Sequence, residues 1–78
     1  MVRGKFTVQK IVTETYSPTY QQTRVVLTPQ YDDKLPEDQK YAKSTPRGEI
    51  WMQVDNPPAL AQFVPGKVFY VDFTPVEQ

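Results

Sequence analysis

Three stretches of this chain alternate apolar and polar residues with a period of two, the spacing of a half-buried β-strand rather than of a helix. In Lys5–Gln9, Phe6 and Val8 share one face against Lys5, Thr7 and Gln9. Gly48–Asp55 sets Ile50, Met52 and Val54 against Glu49, Trp51, Gln53 and Asp55. Lys67–Thr74 sets Phe69, Val71 and Phe73 against Val68, Tyr70, Asp72 and Thr74, and Pro75 then stops the ladder. A shorter run, Arg24–Thr28, puts Val25 and Leu27 inward, and Pro29 either closes it or places it near an edge. The first alternation breaks once. Lys10 occupies the place of the next apolar residue and Ile11 follows one position late, which a β-bulge near Gln9 and Lys10 accounts for by inserting one extra residue. A bulge bends a strand, as a small barrel needs.

Composition agrees with the pattern. Ten Val and eight Thr against three Leu and three Ala is strand usage, because branched side chains pack well on a pleated surface. A chain of 78 residues supports one domain, residues 1–78, with a thin core. Between the strands, Glu14–Thr23 carries Ser17-Pro18 and two Tyr among polar residues and reads as a connection. Pro29–Arg47 is the longest segment without strand character, either packed on the barrel or a functional arm, and Pro36-Glu37-Asp38 followed by Lys40 and Lys43 suits a short helical turn. Asn56 caps a helix opening at Pro57, with Leu60 and Phe63 on one face of about two turns, before Pro65-Gly66 turns the chain. The expected fold is all-β: a single small antiparallel barrel of the OB or SH3-like kind, with one short helix before the last strand. Its expected core is Phe6, Val8, Val25, Leu27, Ile50, Met52, Val54, Leu60, Phe63, Phe69, Val71 and Phe73.

The same composition excludes much chemistry. There is no Cys and no His, so no disulfide framework, thiolate site, imidazole ligand or triad base is available. The three Gly stand far apart, at 4, 48 and 66, and form no phosphate loop. Asp32-Asp33 and Glu37-Asp38 do not have calcium-loop spacing and read as solvated loop acids. Neither an enzyme nor a cofactor or metal site is expected. Nine Lys and Arg against nine Asp and Glu leave no net charge, which disfavours nucleic acid held by a broad basic field. No apolar run approaches a membrane span or a leader, so a soluble, cytoplasmic protein with no membrane contact is expected.

Binding candidates are aromatic. Trp51 lies on the polar side of its strand, where it stacks on a base, anchors a partner, or is covered by the Pro29–Arg47 segment. Tyr70 joins it if the two strands pair in a suitable register. Tyr16, Tyr20, Tyr31 and Tyr41 fall in the two long connections, as a recognition rim or as pins for the loops. Arg47 and Lys67, with Arg3 and Lys5, are the bases that a single-stranded nucleic-acid reading requires.

The runs Ala42–Gly48, Val54–Ala59 and Phe63–Pro75, with TP-x-G, VDNP-x-A and F-x-PGK-x-x-YVDFTP in turn, resemble a group of small bacteriophage proteins. These are scaffold signals. The resemblance implies a phage origin and a shared fold, and carries over no functional residue. The expected function is a protein-binding structural accessory, such as a capsid decoration or minor virion protein, in the host cytoplasm or on the virion. Capsid or other virion subunits are its expected partners, and a homo-oligomer is compatible. The alternatives are a single-stranded nucleic-acid-binding OB-like protein and an inhibitor of a host defence protein.

Overall fold

The computed structural model describes residues 1–77. Four antiparallel strands, β1 (Val2–Ser17), β2 (Tyr20–Gln30), β3 (Ile50–Gln53) and β4 (Val68–Phe73), form one sheet in the order β3-β2-β1-β4. The sheet curls into a half-barrel, so the strand-rich fold of the sequence reading holds with the barrel left open between β3 and β4.

The bulge falls where the alternation breaks. Val8 pairs with Leu27 and Lys10 with Val26, leaving Gln9 as the extra residue on β1. Up to that point Phe6 and Val8 face inward; beyond it Ile11 and Thr13 do, opposite Val25 and Thr23. At the other end of β2, Pro29 lies opposite Phe6, beyond the reach of β3, which pairs only with Arg24–Leu27. Its missing N–H therefore removes no bond to β3.

Glu14–Thr23 is not a connection. It forms the distal half of a long hairpin whose strands continue to Ser17 and from Tyr20, with Pro18 and Thr19 alone in the turn. Glu14, Thr15 and Tyr16 face solvent on both sides of a two-stranded ribbon, so apolar alternation is absent and the strand gave no period to read.

The core is Phe6, Val8, Val25 and Leu27, with Ile50, Val54, Leu60, Phe63, Phe69 and Val71 packed against it. Two expected members lie elsewhere. Met52 is 41% and Phe73 55% exposed, because each points to the inner face where no layer covers it. Val26, on the outer face, is buried instead. The helix is one turn, α1 (Pro57–Leu60), rather than two: the Asn56 carbonyl accepts from the Ala59 and Leu60 N–H groups, and the Asn56 side chain makes no cap. Phe63 follows in the ensuing turn and packs its ring 5.3 Å from Phe69.

The Pro29–Arg47 segment is packed on the sheet. It contains a 3₁₀ turn at Glu37–Gln39, and Lys40 bridges to Arg3 of β1. Tyr41 stacks on Phe6 with ring centres 6.2 Å apart and planes 11° from parallel. Gly4 makes room for that stack: a methyl group there would meet the Phe6 ring at 2.5 Å and the Tyr41 ring at 3.2 Å.

Candidate functional site

Register and alternation place Trp51, Tyr70, Tyr16 and Tyr20 on the outer face of the sheet, away from the core. Trp51 is 56% exposed, so the Pro29–Arg47 segment does not cover it. Its ring carries the Arg24 guanidinium, 5.6 Å from the ring centre, and flanks a shallow cleft with Lys10, Val12, Val26 and Glu49. Arg24 in turn pairs with Glu14, which also accepts a hydrogen bond from the Tyr16 hydroxyl. Together these donors hold the Glu14 carboxyl below its ordinary pKa, the Tyr16 bond contributing most, and raise that of Tyr16. The Arg24 Nε is buried without an acceptor, so the guanidinium is fastened at its outer end alone.

A second cluster is built around Tyr70. Its hydroxyl donates to Asp32 at 2.7 Å, and the Lys34 backbone N–H donates to the same carboxylate at 3.0 Å. Asp32 is buried, and these two donors, Tyr70 first, hold its carboxyl below the ordinary range. Asp32 is thus a fastening point rather than a solvated loop acid, and it ties the segment after β2 to β4. Arg3 lies over the Tyr70 ring at 4.9 Å and forks onto Asp72 at 2.5 and 2.9 Å, lowering the Asp72 carboxyl.

The two clusters do not merge. β3 and β4 are opposite edges of the sheet with β1 and β2 between them, three strand spacings of about 4.8 Å, so Trp51 and Tyr70 share no stacking platform.

The remaining candidates disperse. Tyr16 and Tyr20 sit beside each other at the hairpin tip, ring centres 5.8 Å apart, 59% and 50% exposed, on strands rather than in a loop. Tyr31, just past β2, accepts a hydrogen bond from Lys40 at 3.2 Å and stays half exposed. Tyr41 is the pin described above, and its burial raises its hydroxyl pKa. Arg47 borders an apolar groove of about 430 Å³ with Val2, Phe6, Tyr41, Ile50 and Phe73. Lys67 lies over the Phe69 ring at 5.3 Å.

Sequence reasoning missed Glu14, read Asp32 as a solvated loop acid, and weighed Arg24 only as a base for phosphate rather than as the partner of Trp51 and Glu14. The i, i+2 placing of Glu14 and Tyr16 on a strand would have signalled the first cluster had the hairpin been recognised. Nothing local announces the Asp32–Tyr70 bond across 38 residues. No protein-family model matches the chain, and no curated protein or solved structure is significantly similar to it.

Proposed function

We propose that this protein is a non-enzymatic, protein-binding accessory of the bacteriophage type, a capsid decoration or minor virion component acting in the host cytoplasm and on the particle. One observation carries the protein-binding part. The outer face shows large aromatic area, yet both arginines over its rings are already engaged, Arg24 by Glu14 and Arg3 by Asp72. A strand of nucleic acid needs a row of cations free for phosphates beside its stacking rings, and Lys10 beside Trp51 with Lys5 opposite Tyr70 is a sparse set on the two separate clusters, whereas a protein partner uses such aromatic area directly. The phage assignment rests on the resemblance of the C-terminal runs alone.

Affinity capture from producing cells, with and without nuclease, tests the reading. A protein partner retained after nuclease and lost with Trp51→Ala is the expected result. A salt-sensitive complex of micromolar or tighter affinity with single-stranded DNA, quenching Trp51 fluorescence and losing about 1 to 3 kcal/mol in Trp51→Ala, overturns it in favour of the nucleic-acid alternative.

A further inference from the structure

The two edges of the half-barrel differ in how they are protected. Natural sheets blunt an exposed edge with short strands, lysine, proline or a bulge. β3 is blunt by length, at four residues. β4 has six residues in regular register with β1, Val68-Phe69-Tyr70-Val71-Asp72-Phe73, with no lysine, proline or bulge among them. Among the described residues no other strand or helix lies along its outer side. Its backbone donors and acceptors on that side are a template for one more strand.

We infer that β4 pairs antiparallel with β4 of a second copy of this chain, about a two-fold axis through Val71, so that two four-stranded sheets join edge to edge. The strand is self-complementary in that register. A two-fold axis normal to the sheet keeps the inner faces on one side, and it can pass through Tyr70, Val71 or Asp72. Through Asp72 it would set two carboxylates opposite each other, which is unfavourable. Through Tyr70 it would set Phe73 against Lys67 and Asp72 against Val68. Through Val71 it sets Val71 on its own copy, Phe69 on the copy's Phe73 and Tyr70 on the copy's Asp72, a run of apolar and aromatic pairs on one face with no like charges opposed on the other.

This arrangement also gives Phe73 a place. Its ring and Val2 beside it are 55% and 37% exposed on the inner face, where a core residue would be expected. In the dimer each Phe73 lies against Phe69 of the other copy. The shared edge is small beside the roughly 800 Å² per partner of a standard interface, so association is weak, reversible and dependent on concentration. The inference goes beyond the proposed role, since it stands whether the outer face binds protein or nucleic acid.

Sedimentation velocity from low to high micromolar concentration tests it, together with single-cysteine variants that the cysteine-free chain makes unambiguous. Across an antiparallel pair the Val71 Cα atoms would lie about 4.5 to 5.5 Å apart, within disulfide reach. A dimer fraction that rises with concentration is expected, with Val71→Cys oxidising to a covalent dimer at least tenfold faster than Ser17→Cys at the exposed hairpin tip. Phe73→Lys, checked for folding by circular dichroism, should weaken the dimer at least tenfold. A wild-type chain that stays monomeric throughout, a Val71→Cys variant that cross-links no faster than Ser17→Cys, or a folded Phe73→Lys variant that dimerises unchanged overturns the inference. Val71→Cys, a nearly isosteric change, keeps the test decisive if Phe73→Lys does not fold.

Discussion

The hairpin of β1 and β2 contains two regions made of the same strands and held by different forces. In the proximal half, Phe6, Val8, Val25 and Leu27 lie under a covering layer and the sheet is flanked by β3 and β4. In the distal half, from Thr13 to Thr23, no strand or helix packs over either face among the described residues, and only Gln22 and Thr23 at its base reach across, to Gln53 and the Val54 N–H. The strands there are linked across by Arg24 to Glu14, by Tyr16 to Gln22 at 3.0 Å, and by the paired hydroxyls of Thr13 and Thr23 at 3.3 Å. Burial of apolar area fixes the first region; exposed polar pairs, each of small net worth, fix the second. The proximal half is therefore the fold, and the distal half is a presented surface whose residues are free to serve recognition.

The most forceful way to break the comparison is to cut the proximal core. Leu27→Ala, at a fully buried position, should cost about 2 to 5 kcal/mol, which denaturant melts would register as loss of most of the domain's stability. A comparable loss from Tyr16→Ser with Tyr20→Ser would erase the distinction between the halves.

Tyrosines sharpen it next. The sequence grouped Tyr16, Tyr20, Tyr31 and Tyr41 together, whereas the structure sets Tyr41 apart: all four keep exposed area, but Tyr41 stacks on the core ring of Phe6. Tyr41→Ser should lower stability by about 1 kcal/mol or more, from the lost aromatic pair and its buried area. The double substitution at Tyr16 and Tyr20 should leave the melting temperature nearly unchanged. Equal effects would mean that the ribbon carries part of the fold.

Acid probes both regions at once. Asp32 and Asp72 near the base and Glu14 in the ribbon are all held below the carboxylate range of the unfolded chain. A carboxyl depressed in the folded state stabilises above its unfolded pKa, and that contribution disappears as pH falls through the folded value. Thermal stability should hold from neutral to about pH 5 and decline below about pH 4. Asp32→Asn should flatten that decline, while Glu14→Gln should leave the global melt alone and shift only ribbon resonances in NMR spectra. A melt that steepens with Asp32→Asn would contradict the assignment.

The smallest expected effect belongs to Phe73→Ala in dilute solution. Alternation marks Phe73 as inward, yet more than half its surface is exposed, so the monomer should lose no more than about 1 kcal/mol by melting. A loss of several kcal/mol would show that the groove beside it closes.

Much of the proximal half was legible. Strand phase, the bulge at Gln9, the helix start at Pro57 and the Pro65-Gly66 turn all follow from local spacing, because each is decided by neighbouring residues, whereas the expected Asn56 cap and second helical turn do not form. Period two tells which side a residue faces but not whether anything lies over it, and Met52 and Phe73 were misplaced for that reason. The ribbon was illegible because Thr, Gln and Tyr on both faces give no contrast to count. Trp51 on the outer face was readable; its separation from Tyr70 depended on strand order, which alternation does not encode.

The extra residue at Gln9 sets a dimension as well as a phase. Between Val8 and Lys10, β1 spends one position more than β2 on its side of the pair, and a second extra position follows at Tyr16 near the hairpin tip; the first lies within the sheet proper, where a bulge bends the strand. Deleting Gln9 would leave Phe6, Val8 and Ile11 on the same side yet straighten the corner, because the facing is restored by the deletion while the surplus length is gone. A single backbone unit more than forty residues before either margin of the mouth, β3 or β4, therefore bears on its width. A shift in chain length of one, with no change in any side chain of the core, would regauge the whole opening.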